Sequence, residues 1–241
     1  MPLPIVRPFR VVKNVPLARN CFALTFVPDD GQPMFPFLAG QWVMLHLLKE
    51  DGTSWGRAAF SIASAPSESS ASFELAIKVY GDFTQRALGL KEGDRVNVQG
   101  PYGVFTLKPG TDRLVMLAGG IGIAPFRCML REMVAQKDPR EVTLFYTNKT
   151  KADISYEDEL RELARTSPTF HPVFILTSDA PDGWDGEFRR LDAHKLKKHL
   201  PDLAQTDFLM CGSRELMDAV KGLLEAEGVD TKTRLRKELF S

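Results

Sequence analysis

The sequence predicts two domains in series, a small antiparallel β barrel or sandwich followed by a parallel α/β domain. Three observations predict it. The first hundred residues break into short runs rich in β-branched and aromatic residues, separated by turn-forming residues. Beyond Lys108–Asp112 the pattern changes to apolar strands alternating with helical segments. The glycines of Gly119–Gly122 stand where the first of those strands turns into a helix. A chain of 241 residues exceeds the usual span of one core, and the K-P-G-T-D stretch places the boundary, giving domains 1–108 and 109–241.

The strands of the first half are read at Cys21–Val27, Gln41–Leu47, the run from Arg57 towards Pro66, Ser72–Val79 and Arg95–Val98. Turn chemistry separates them: D-D-G at Asp30, Glu50-Asp51-Gly52, and Gly93-Asp94. One short helix, Phe83 to Leu90, interrupts the series. In the second half, strand Leu114–Ala118 leads through the glycines to a helix over Ala124–Ala135. Strand Val142–Tyr146 follows, then a helix opened by Ser155 with Asp158 three residues on, the spacing of a capping box. Strands Val173–Thr177 and Phe208–Cys211 come next. The helix after them carries Leu216, Val220, Leu223 and Leu224 on one face and is closed by Gly228. The last strand runs over Thr233–Phe240.

Formal net charge is zero, from 31 basic and 31 acidic residues, which points away from nucleic acid and from anionic membranes. The three cysteines, Cys21, Cys128 and Cys211, are too far apart for a disulfide framework or a paired-cysteine metal site. His46, His171, His194 and His199 show no ligand spacing. The N-terminus lacks the apolar core of a signal peptide, and no apolar run approaches the ~20 residues that span a bilayer. A cytoplasmic protein without membrane insertion is expected.

Two stretches ask for a chemical explanation. Arg57-A-A-F-S-I-A-S-A-Pro66 sets an arginine, one aromatic ring and two serines among small residues. It is either a half-exposed strand ending in a Ser/Pro turn, or a surface along which something flat, polar at its edges and negatively charged at one end lies. Gly119-G-I-G-I-A-Pro125 is either a tight strand–helix turn or a phosphate cradle, because glycines admit close backbone approach and helix-start N–H groups attract pyrophosphate. Pro125 fits the first helical turn, where a missing N–H costs nothing.

Taken in order, six segments resemble the ferredoxin–NADP reductase superfamily over nearly the whole chain. Phe60-S-I-A-Ser64 is similar to its flavin strand R-x-Y-S, and Gly93–Phe105 to the stretch that closes its barrel. Gly119–Pro125 resembles its dinucleotide turn, and Leu144–Leu160 the strand–helix unit with a D-x-x-Y-x-x-E-L pattern. Cys211-G-Ser213 resembles the C-G-P/S element, and Glu238-L-Phe240 the terminal E-x-aromatic. The resemblance implies an N-terminal six-stranded antiparallel Greek-key β barrel holding FAD. It also implies a C-terminal parallel α/β domain holding NADH or NADPH, and hydride passage from nicotinamide to flavin.

It implies roles for particular residues as well. Phe60, at the family's tyrosine position, would stack on the isoalloxazine, and Ser61 would hydrogen-bond its N5 edge, with Ile62 continuing the strand. The family's pyrophosphate arginine stands where this chain has Ala58, and Arg57 lies one residue earlier. That shift reverses the strand face, so Arg57 reaches the phosphates through a bulge or another cation replaces it, and FMN stays open beside FAD. Gly81, Asp82, Phe83 and Thr84 resemble the loop donating to the same pyrophosphate, preceded on its strand by Ala76, Ile77 and Lys78. Thr84 is expected at the head of the short helix, its hydroxyl either capping or binding phosphate. Gly119, Gly120, Ile121, Gly122 and Pro125 would hold the dinucleotide, with Cys211 and Gly212 beside the nicotinamide. Phe240 would cover the flavin face, and Glu238 would join a proton network at N5. Ser178 and Asp179 fall where NADPH users place Ser-Arg; the acid leans the reading towards NADH.

The expected function is therefore an FAD-dependent NAD(P)H oxidoreductase passing electrons to a separate ferredoxin, oxygenase component or haem protein. Alternatives are an electron-transfer subunit of a larger complex and a non-catalytic flavin- or nucleotide-binding regulator. The displaced arginine and Ile121 leave the regulator open.

Overall fold

The computed structural model describes residues 5–200, 202–203 and 205–239. The chain divides into two compact units. One comprises residues up to Leu107 together with Ala124–Gln136, the other Lys108–Ile123 together with residues from Lys137. The helix after the glycine turn is thus counted with the first unit, whereas a boundary at 108 would put it in the second.

The first unit holds β1 (Val6–Ala18), β2 (Cys21–Pro28), β3 (Trp42–Leu48), β4 (Ser54–Ser61), β5 (Phe73–Lys78), α1 (Gly81–Leu88) and β6 (Arg95–Tyr102). Strand order is β4-β3-β6-β1-β2-β5, each pair antiparallel, and an antiparallel bridge between Ile62 and Leu75 joins the end strands into a barrel. The neighbours β2–β5 and β3–β6 are the Greek-key crossings. Alternation supplies Phe9 and Val11 of β1 and Val43 and Leu45 of β3 to the core, while β2 is buried continuously from Cys21 to Leu24 and again at Phe26. The Phe73 ring stacks on Phe26 at 5.3 Å and meets Phe9 edge-on at 5.4 Å. Such pairs contribute roughly 0.5–1.5 kcal/mol beyond area burial.

The second unit holds β7 (Arg113–Gly119), from which the chain passes into α2 (Ile123–Ala135), counted with the first unit, and then returns as β8 (Glu141–Asn148), α3 (Glu157–Thr166), β9 (Phe170–Leu176) and β10 (Glu187–Phe188). It continues with α4 (Ala193–His199), β11 (Thr206–Gly212), α5 (Arg214–Ala226), α6 (Thr231–Arg234) and β12 (Leu235–Leu239). Its sheet runs β10-β9-β8-β7-β11-β12, every pair parallel. The chain builds outward from β7 on one side and then resumes with β11 on the other. That reversal makes the carboxyl ends of β7 and β11 the switch point, where open α/β sheets bind ligands. Val115, Leu117, Phe145, Ile175, Phe208 and Met210 form one packed face of this sheet against Leu196 of α4 and Met217, Val220 and Leu224 of α5.

Several sequence expectations are corrected. Helix α3 is not opened by a Ser155–Asp158 capping box. Ser155 is buried, its N–H donates to Tyr146 Oη at 3.1 Å, and the helix starts after Tyr156, which is left-handed at φ 59°. A capping box does exist one turn earlier, where Thr150 and Asp153 bracket the short turn Lys151–Asp153. Helix α3 relies instead on Glu157, Asp158 and Glu159, which complement its dipole in the first turn. Helix α1 starts at Gly81 rather than Phe83, and β12 starts at Leu235, after the Asp230-capped turn of α6.

Candidate functional site

In the first unit the site candidates gather along β4 and the start of α1. The β3–β4 register runs from Leu45↔Ala58 to Trp42↔Ser61 without a shift. Period-two alternation therefore puts Ala58 and Phe60 on one face, and Arg57, Ala59 and Ser61 on the other. The Phe60 ring stacks at 6.0 Å on Phe83 of α1, and Gly56 lies under that same Phe83. Small residues at Gly56 and Ala58 leave this face low, with Phe60 half-buried beside the helix start. Ser61, at 3 % exposure, is one of the few buried polar side chains of the barrel.

The bulge that would bring Arg57 onto the Phe60 face is absent from this register. Arg57 is exposed opposite His46, whose pKa is lowered first by burial and then by the Arg57 charge. Arg57 is thus removed from the face that carries Phe60. Ile62 and Ile77 are fully buried and Ala76 nearly so, which leaves only their backbone to meet a ligand. Lys78 is exposed at the end of β5.

The head of α1 matches an anion cradle. Gly81 takes φ +75°, with open space where a Cβ would sit. The first-turn N–H groups of Asp82 and Phe83 have no intrahelical acceptor. Thr84 does not offer its hydroxyl: Oγ accepts the Tyr80 N–H at 2.6 Å and donates to Gly81 O at 3.2 Å. Thr84 is the fourth residue of α1, whose N-cap, Tyr80, has no side-chain cap bond, so the hydroxyl is taken up by the backbone at the helix start and serves as neither an N-cap nor a free phosphate donor. The exposed Asp82 carboxylate offsets part of the helix-end attraction for a phosphate.

In the second unit the glycines do separate jobs. A Cβ on Gly122 would overlap the carbonyl oxygen of Cys211 and lie 2.8 Å from its carbon, so this glycine lets the turn pack on β11. A Cβ on Gly119 would overlap Leu216 Cδ2. Gly120 differs: its backbone is left-handed, φ +52°, and open space lies over it. Ile121 is half-buried, and Pro125 is buried in the first turn of α2. Cys211 is fully buried, and burial, reinforced by the Glu238 charge, raises its thiol pKa far above the ordinary value. A buried thiol held in its neutral form is a poor nucleophile. Gly212 follows it, and Glu238 stands opposite Cys211 in the β11–β12 register. Phe240 lies outside the described residues.

Ser178 and Asp179 are exposed just past β9, both N–H groups donating to Lys149 O, at 3.0 and 3.3 Å. The carboxyl edge thus carries the candidates from β9 across β8 and β7 to β11 and β12. From β9 to β11 is three strand intervals, roughly 14 Å at the usual spacing.

Sequence reasoning missed two kinds of residue. Asn148, at the carboxyl end of β8, is 4 % exposed, and neither Nδ2 nor Oδ1 has a partner among the described residues; Ser155 Oγ is likewise buried and unpartnered. In T-N-K-T the asparagine reads as a turn residue, so nothing in the sequence marks it. Arg127 on α2 reaches Ala63 O and Glu74 across more than fifty residues of chain, which no local pattern announces. All three cysteines are buried and none is in a disulfide. Among the described residues no cluster of His, Cys, Asp or Glu could hold a metal ion, and no helix is long and apolar enough to cross a membrane.

The residues fit the two groups that the motifs imply. The open left-handed Gly120 and the switch-point edge suit a dinucleotide phosphate, while the low Gly56–Ala58–Phe60 face beside the α1 head suits a flat ring with a phosphate tail. Residues 8–107 match the oxidoreductase FAD-binding domain family, and residues 116–222 the oxidoreductase NAD-binding domain family. Among curated proteins the chain is 32 % identical over 154 residues to NADH-cytochrome b5 reductase 1 of Debaryomyces hansenii, covering 62 % of this chain and 54 % of that protein. It is 32 % identical over 222 residues to the reductase component of propane 2-monooxygenase from Mycolicibacterium goodii, covering 89 % of this chain and 62 % of that one. The chain thus spans little more than half the length of these relatives. Its fold is that of the flavohem-like FAD/NAD-binding domain of nitric oxide dioxygenase from Vibrio cholerae, with a TM-score of 0.87 at 21 % identity, over 97 % of this chain and 98 % of that one.

Proposed function

The chain belongs to the ferredoxin–NADP reductase superfamily, and on that premise we propose that it is an FAD-dependent NAD(P)H oxidoreductase serving a separate electron acceptor. The observation that carries the reading is the order of an FAD-binding and an NAD-binding domain in one chain, with an open glycine cradle at the switch point of the second. Bound flavin supplies hydride acceptance from nicotinamide and release of electrons one at a time.

The chain's own residues bind and orient. Phe60 offers its face to the ring, and Ser61 a hydroxyl at the ring edge. The Asp82 and Phe83 N–H groups hold the flavin phosphates without the arginine of the family pattern. Gly120 admits the dinucleotide phosphate, and Cys211 and Gly212 form an uncharged wall for the nicotinamide. Glu238 takes up or gives a proton in this reading, which its register opposite Cys211 supports. Positioning is the main contribution, since hydride transfer needs reacting atoms about 3–3.5 Å apart.

The acceptor is a one-electron centre on another protein, a haem protein or an oxygenase component, the classes in which the two relatives' names fall. Steady-state NADH oxidation by the FAD-loaded protein tests this. Turnover with ferricyanide or a cytochrome well above the oxygen background is expected; turnover with oxygen alone would reject a separate acceptor. The electron donor is NADH. Asp179 is exposed at the end of β9, where its carboxylate repels a 2′-phosphate and accepts from a free ribose hydroxyl. Asp179→Arg is expected to shift the NADPH/NADH ratio of kcat/KM towards NADPH on the order of tenfold or more. An unchanged ratio would remove Asp179 from the ribose pocket.

One observation favours a second reading. With Ala58 at the family's arginine position and Arg57 on the opposite face, flavin is held by fewer charges, as in a regulator that binds without turnover. Protein that takes up FAD and is not bleached by either nicotinamide would establish it.

A further inference from the structure

The segment that follows Ser61 is fixed from several sides. Ile62 N–H donates to Gln41 O at 3.0 Å, and Ala63 N–H to Glu74 O at 2.8 Å. Ser64 Oγ accepts the Glu74 N–H at 3.0 Å. The Ala63 carbonyl is held from α2: Arg127 Nη1 donates to Ala63 O at 2.9 Å and to Glu74 Oε1 at 3.1 Å. On the same helix Arg131 pairs with Glu68, and Glu132 accepts the Ser67 N–H at 2.9 Å. The two ion pairs differ in burial. Arg127 and Glu74 side chains are 11 % and 19 % exposed, against 32 % and 39 % for Arg131 and Glu68. A charge-assisted bond shielded from water holds its geometry more firmly than a surface pair.

We infer that Arg127 is a positioning residue for the flavin. It ties the Ala63 carbonyl and the Glu74 carboxylate together, fixing the Ser61–Ala63 backbone and neutralising an acid close to it. The inference rests on the flavin reading above. Without the guanidinium the segment relaxes, and the Glu74 carboxylate loses the positive charge that Arg127 sets against it. Negative charge near a flavin opposes its reduction, which moves the midpoint potential in the negative direction.

The test compares Arg127→Met, Arg127→Lys, Arg131→Met and the double variant Arg127→Met/Glu74→Gln. FAD dissociation constants come from fluorescence titration of apoprotein, and midpoint potentials from reductive titration against a reference dye. Arg127→Met is expected to weaken FAD on the order of tenfold or more and to make the potential more negative. Arg127→Lys recovers part of the affinity, and adding Glu74→Gln restores the potential without restoring the affinity. Arg131→Met stays within about twofold of wild type, as an exposed pair should. The inference is overturned if Arg127→Met matches wild type in both readouts, or if Arg131→Met loses as much. Should Arg127→Met fail to fold, Arg127→Lys decides: a severalfold weaker FAD complex supports the role, and an unchanged one overturns it. Wild-type protein that takes up no FAD would reject the proposed function instead, so the two failures are distinct.

Discussion

Replacing Gly122 by alanine is expected to destabilise the second unit by about 2–3 kcal/mol and to lower its Tm by roughly 10 °C. The added Cβ would overlap the Cys211 carbonyl oxygen and lie 2.8 Å from its carbon and 3.2 Å from Gly212 Cα. These are backbone atoms at the carboxyl end of β11, a strand paired on both sides, so no rotamer change relieves the overlap. Gly120→Ala is the informative partner. Its Cβ meets nothing within 4 Å, so the structural cost is only the left-handed backbone at φ +52°, about 1–2 kcal/mol. That Cβ nevertheless stands where a phosphate would approach, and dinucleotide affinity is expected to fall on the order of tenfold or more. Calorimetric titration with NAD, beside thermal unfolding of the same samples, separates the two glycines. Equal NAD affinity in Gly120→Ala and wild type would show that the phosphate lies elsewhere.

Ser61→Ala is expected to slow flavin reduction by roughly a hundredfold, the scale for losing one preorganised donor at a reacting centre. The hydroxyl is buried at the end of β4, while the strand itself is held by its register with β3 and the Ile62–Leu75 bridge. Its loss therefore leaves the barrel folded, with a stability change of about 1 kcal/mol. FAD stays bound and the reduction step slows. A reduction rate within about twofold of wild type would remove Ser61 from the reacting edge.

What the sequence made legible follows from how local each signal is. Strands β2 and β5 read correctly because short apolar and aromatic runs bounded by turn residues are a one-dimensional signal, even though each buries several residues in succession, and the β7 turn because its glycines interrupt an apolar run. Strand β1 went unread: Pro8 and Pro16 argue against a strand, yet Pro16 falls at a register irregularity, where a missing donor is tolerated. The Ser155–Asp158 spacing misled because tertiary contact buried Ser155 under Tyr146. The face of Arg57 waited on the β3–β4 register, since a bulge would have reversed it. Arg127 and Asn148 were illegible for a common reason. Their significance lies in partners, present or missing, that only the folded chain defines.

The proposed function requires that nicotinamide bound by this chain reduce flavin bound by this chain. Anaerobic rapid mixing of the FAD-loaded protein with NADH, followed by flavin absorbance, tests it most directly. A single-exponential loss of the oxidised band is expected, at a rate that saturates with NADH and exceeds that with NADPH. An oxidised spectrum that persists for minutes with both nucleotides, while FAD remains bound, would contradict it.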